Sequence, residues 1–234
     1  MDSIIKPVER LRSLPNAFVD VNFRQDREAF RKQLATRREA ETISDDEVDS
    51  YVTHVQESIA ELVEKVIPDV LPKEYLFFLE YYGGLEIWNE NDFRFEIHGI
   101  GPMVLENYWD FIIHNWGERS DPLLPGPRGL IIAGLRLDLE LTKAKAWGVK
   151  TETFTRHDET KIELVPSKRV EFRLDLAGIV EKGSIIGLGP DETDTPHPLS
   201  LGDGDLRRWQ KLGGSFSEWL ELVADTHGLL GYVY

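Results

Sequence analysis

The residues of this 234-residue chain best suited to chemistry are the carboxylates and the histidine of one turn-rich stretch, Gly189 to Asp205. Asp191, Glu192, Asp194 and His197, with Asp203 and Asp205 beyond, offer the oxygen ligands that calcium or magnesium accepts. Their spacing argues against a metal. Asp203-Gly204-Asp205 is not followed by the ligand ladder of a helix-loop-helix calcium site, and prolines interrupt the first cluster. Two readings remain for these carboxylates: a solvated acidic loop, or a negative surface that faces a basic partner. The six histidines, His54, His98, His114, His157, His197 and His227, show no i, i+4 metal spacing and no recognisable nucleophile partner. Gly99-Ile100-Gly101-Pro102 and Gly187-Leu188-Gly189-Pro190 lack the third glycine or the lysine of a phosphate-binding loop, and the proline in each signals a turn. Trp88 is a different kind of candidate. It continues a strand alternation from Ile87 and adjoins Asn89, Glu90, Asn91 and Asp92, so it is either a protein-binding anchor among acids or a ring covered by a loop. The candidate partner-contact residues are therefore Trp88, Glu90, Asp92, Asp191, Glu192 and Asp194. No catalytic residue, metal or cofactor is expected.

Charge narrows the partner. The formal net charge is −15, from 42 acidic and 27 basic side chains. Residues 1–43 hold nine Lys/Arg and seven Asp/Glu, or +2, which leaves 18 and 35, or −17, for the rest. Such a field repels nucleic acid and anionic membrane and steers a basic protein inward; its plainer use is to keep the chain dispersed in water. Cysteine is absent, so packing alone must stabilise the fold, as suits a reducing compartment. The N-terminus lacks the apolar run of a signal peptide, and no uncharged run of 18 residues could span a membrane, so a cytoplasmic protein is expected.

The elements that would position these residues are legible from periodicity. Ser44 and Glu47 form a capping box, and Val48, Tyr51, Val55, Ile59, Leu62 and Val66 then recur at helical spacing until Pro68. A second helix follows in L-P-K-E-Y-L-F-F-L-E-Y-Y-G-G-L-E-I, Leu71 to Ile87. There Leu71, Tyr75, Phe78, Leu79 and Tyr82 make one stripe, Pro72 suits the first turn, and Gly83-Gly84 suits the stop. Period-two runs begin with Leu85, Ile87, Phe93, Phe95 and Ile97 and resume at Leu130–Leu141, Glu152–Thr155, Lys161–Val165, Val170–Leu176 and Ser184–Leu188. Leu135, Leu137, Leu139 and Leu141 alternate with Arg136, Asp138 and Glu140, which predicts an antiparallel sheet with one wet face. A helix is expected from Val104 to Trp116. The last helix follows Gly213-Gly214, with Ser215 and Glu218 at its cap and Phe216, Trp219, Leu220 and Val223 on its buried face. The fold class is thus α+β: a helical hairpin, a curved and mainly antiparallel sheet, and a C-terminal helix packed on it. Residues 1–43 read as an N-terminal arm or polar helix, and residues 44–234 as the domain.

The segment Leu71-Pro72-x-x-Tyr75-x-x-Phe78-Leu79 closing on Gly83-Gly84, with the late Gly214-Ser215-Phe216-Ser217-Glu218-Trp219-Leu220, resembles the SUKH superfamily. In that family such helices bracket a bent antiparallel sheet. The resemblance covers roughly residues 45–225. Tyr82 stands where the family often has asparagine, and the stretch between the two helices is longer than usual. The resemblance implies a non-enzymatic binding domain. Bacterial members typically act as immunity proteins that neutralise toxins, often nucleases, and fungal relatives regulate cell-wall synthesis. The expected partner is a basic toxin domain; the alternatives are an intracellular regulatory scaffold of the fungal type, docking through residues 1–43, and an enzyme.

Overall fold

Ser44 starts the longest helix in the way its neighbours dictate. Its hydroxyl accepts from the Glu47 N–H at 3.2 Å, and its own N–H donates to the Glu47 carboxylate at 2.8 Å, so two donors that lack helical partners are satisfied reciprocally. The fold is that of a computed structural model which describes residues 1–19, 26–37, 42–66, 69–89, 93–99, 129–137, 141–146, 152–155, 159–164, 168–176, 178, 180–188 and 209–230. The expected helix from Val104 to Trp116 lies outside them.

In chain order the elements are α1 (Asp2–Arg12), β1 (Ala17–Val19), α2 (Arg27–Arg37), α3 (Asp45–Lys65), α4 (Lys73–Tyr82), β2 (Leu85–Asn89), β3 (Phe93–Ile97), β4 (Gly129–Leu137), α5 (Leu141–Ala146), β5 (Glu152–Thr155), β6 (Lys161–Leu164), β7 (Lys168–Asp175), β8 (Ile185–Leu188), β9 (Trp209–Gly213) and α6 (Phe216–Asp225). Seven strands form one antiparallel sheet in the order β1-β2-β3-β4-β7-β8-β9, and β5 and β6 pair separately. Register shifts between Ile131 and Ala133 and between Ile185 and Ile186 add local twist. The chain is α+β, with helices before and after an antiparallel sheet. No helix among the described residues is long and apolar enough to cross a membrane.

One face of the sheet makes the core. Leu85, Ile87, Phe95, Ile97, Ala133, Leu135, Val170, Phe172 and Leu174 are all buried, and they meet the stripe of α4 and the apolar side of α6. Aromatic rings connect the three layers: Tyr75 meets Phe216 edge-on at 5.2 Å, and Trp219 lies 6.0 Å from Phe95 and 5.7 Å from Phe172. Ser217 adds a polar link, donating to the Glu74 carboxylate at 3.0 Å. The α4 stop is the glycine pair. Gly83 takes φ +65° and donates to the Leu79 carbonyl, and the chain beyond β3 passes so close that a Cβ on Gly99 would lie 1.6 Å from the Gly83 oxygen. The cap of α6 differs in one detail from the reciprocal box: the Ser215 hydroxyl accepts from the Glu218 N–H, while the Glu218 carboxylate accepts from Gly214.

Within residues 1–43, read from sequence as an arm or polar helix, the described parts supply packed structure. Ile4, Val8 and Leu11 of α1 are fully buried, α1 lies against α6, and Arg10 pairs with Glu221 at 3.0 Å and Asp225 at 2.9 Å. Strand β1 extends the sheet, and α2, expected to be polar and exposed, buries Phe30 and Leu34, with Phe30 against Tyr51 of α3. Two further differences concern strands. Strand β4 is described as far as Leu137, and Leu141, expected to end that run, instead begins a helix, where leucine, lysine and alanine favour a helix whatever alternation precedes them. The short strands β1 and β9 lie at the two edges of the sheet, where alternation is too brief to read.

Candidate protein-binding surface on the second face of the sheet

The face turned away from the core was expected to be wet. It is charged, and much of it is nevertheless buried. Successive strands place residues in rows, because directly opposed residues point to the same side. The row nearest the β2–β3 hairpin end runs Trp88, Arg94, Arg136 and, by register, Arg169. The next row runs Phe18, Glu86, Glu96, Gly134 and Glu171. His98 and Arg173 lie further along the same face, both buried.

Charge is organised between the rows. The Arg94 Nε lies 2.7 Å from the Glu86 carboxylate, and a terminal nitrogen of Arg94 lies 3.4 Å from Glu96. Glu96 also stands 3.5 Å from His98 Nδ1, and Arg173 pairs with Glu171 at 2.9 Å. Glu86 and Glu96 are close to fully buried, so a guanidinium above them offsets the cost of holding two opposed carboxylates out of water. Arg94 keeps 37% of its side chain exposed and Arg136 is exposed. Beside them Trp88 is 43% exposed and Phe18 39% exposed, two large rings on one face at adjoining strands of the sheet's edge. Among the described residues no three His, Asp or Glu side chains gather where they could hold a metal.

Of the candidates picked from sequence, Trp88 is held here, exposed instead of loop-covered, with its backbone N–H donating to the Asn16 carbonyl at 2.9 Å. Its neighbour across the strands is Arg94. Glu90, Asp92, Asp191, Glu192 and Asp194, and with them His197, Asp203 and Asp205, lie outside the described residues. Sequence reading overlooked Phe18, Arg94 and Arg136. The signal was present in the positions between the apolar ones: Glu86 and Trp88, then Arg94, Glu96 and His98, share a period of two, and aligning the two runs as a hairpin puts them on one surface.

Burial pushes the Tyr75 phenol well above its usual range, and burial also raises that of Tyr82. On the outside, hydrogen bonding to Arg27 holds the Asp49 carboxyl below its ordinary value. Comparison of the chain with protein-family models, curated proteins and solved structures finds no match.

Proposed function

We propose that this chain is a non-enzymatic protein-binding domain of the SUKH type, acting in the cytoplasm as an immunity protein that sequesters a bacterial toxin domain of basic surface. The reading is supported by the exposed Trp88 at the hairpin end of the sheet, because tryptophan on a rigid strand is the residue type that most often anchors a protein interface. The resemblance adds its part: the residues that carry it, Tyr75 and Phe78 on one side and Phe216 and Trp219 on the other, meet in a single aromatic core. Net charge supplies the third support, since −15 draws a basic partner and repels nucleic acid and anionic lipid.

The reading is tested by co-expressing the chain with the basic toxin domains encoded beside its gene. A stable complex that abolishes toxicity is expected. A genome neighbourhood without any toxin gene, together with failure to bind basic nuclease domains, would overturn it.

A further inference from the structure

Phe18 opposes Glu86 across β1 and β2, and Trp88 lies two residues beyond Glu86 on the same face. The two rings are therefore diagonal neighbours, carried on positions about 7–8 Å apart. They are 39% and 43% exposed, and among the described residues neither shares a ring contact or a cation with a neighbour. A cation above such a ring is attracted by its quadrupole, yet the cations nearby are held away. Arg94, directly across from Trp88, is drawn onto Glu86 and Glu96, and Arg136, one strand further, has a partner of its own. We propose that Phe18 and Trp88 form an aromatic slot that receives an arginine side chain of a basic protein partner.

Spacing and charge select that occupant. A flat group stacked at about 3.5 Å from each of two rings needs about 7 Å between them, which is the separation of diagonal neighbours. A guanidinium is flat and weakly hydrated, whereas an ammonium is a compact, strongly hydrated point charge that stacks less well. An aliphatic side chain would also cover a ring, but it gains nothing from the field of residues 44–234, where 18 basic and 35 acidic side chains leave −17. Close to the rings two carboxylates, Glu86 and Glu96, face the one guanidinium of Arg94, so the ground beneath them does not oppose a cation. The slot is also ready-made. Both rings stand on paired strands, and the Trp88 backbone is fixed to Asn16, so little ordering is needed on binding. Nucleic acid would offer stackable bases, but the chain's net charge of −15 opposes a polyanion.

The proposal rests on the protein-binding reading in taking a basic protein as the source of the arginine, and its test uses no toxin. The full chain, labelled with nitrogen-15, is titrated at about 150 mM salt with nona-arginine and with nona-lysine, each blocked at both ends, while the indole signal lost in Trp88→Phe is followed. The two peptides carry equal charge, so general attraction to an acidic chain is matched and the difference between them reports the slot. Nona-arginine is expected to bind about fivefold more tightly and to shift the Trp88 signal saturably. In Trp88→Ala and Phe18→Ala the two peptides should bind alike, while Phe18→Tyr should keep the preference. Phe18→Leu, which retains apolar bulk without a ring, should also lose it, so an alanine variant that melts abnormally leaves the test intact. The proposal is overturned if the two peptides bind the unaltered chain alike, if the Trp88 signal does not move, or if the preference survives in the folded Phe18 and Trp88 variants. It is overturned equally if a nonapeptide of alternating glycine and leucine, or a ten-residue oligothymidylate, binds at Trp88 more tightly than nona-arginine. Failure here leaves the co-expression test untouched, and failure of that test with the preference intact leaves the slot to a basic partner other than a toxin.

Discussion

Tyr75 sits at the centre of the aromatic core, fully buried, and its hydroxyl has no hydrogen-bond partner among the described residues. A buried, unsatisfied hydroxyl costs on the order of 1–3 kcal/mol, so Tyr75→Phe is expected to stabilise the protein by about 1 kcal/mol in chemical denaturation. The same residue contributes to the fall of stability at alkaline pH. Its phenol titrates higher in the folded state than in the unfolded chain, so its contribution is complete below the unfolded value near 10 and is lost as pH rises above it. Tyr75→Phe should therefore flatten the fall of stability above about pH 10; an unchanged alkaline limb would contradict this. Asp175 works in the opposite way, through satisfied bonds. Its buried carboxylate accepts from the N–H groups of Gly178, Val180 and Glu181 at 2.8, 2.8 and 3.0 Å, ordering the β7–β8 connection. Asp175→Asn sets a donor against donors and should cost about 2 kcal/mol, read as a lower denaturation midpoint.

At the scale of elements, caps and glycines decide where helices begin and end. Ser44→Ala removes one arm of the α3 capping box and should lower stability by about 1 kcal/mol, while Gly99→Ala forces a backbone clash at the α4 stop and should do far more damage. Thermal melting of the two variants gives the comparison. These signals were legible in the sequence because they are local: a serine three residues before a glutamate, a glycine pair after an apolar stripe. The strands of the sheet's middle were legible for a related reason, since Phe93, Phe95 and Ile97 must all face one core. What could not be read was the company each element keeps. Helix α1 carries its buried face in Ile4, Val8 and Leu11, but Pro7 interrupts the pattern with a residue that ordinarily ends helices, and burial against α6 depends on chain more than two hundred residues away. The candidate surface was half legible. Trp88 stood out by type, whereas Arg94, Arg136 and Phe18 join it only once three strand registers are known.

Across the whole molecule, the first helix and the last close on each other, so the N-terminal segment is part of what holds the sheet's cover in place. Burying the side chains of Ile4, Val8 and Leu11 contributes about 1.5–3 kcal/mol each, a sum comparable with the total stability of a typical domain. Deleting residues 1–12 should therefore leave a chain that melts far lower or does not fold. Arg10→Ala, which removes only exposed ion pairs, should change stability by less than about 1 kcal/mol. On the proposed reading, net charge governs the rate of association. The measurement that bears most directly on the proposed function is the binding of the purified chain to whichever basic toxin domain the neighbouring genes encode, followed by real-time kinetics at several salt concentrations. The account predicts a one-to-one complex whose association rate falls tenfold or more as salt is raised from about 10 to 150 mM, and whose dissociation quickens at least tenfold in Trp88→Ala. Absence of a complex at micromolar concentration, with the toxin's activity undiminished, would contradict it.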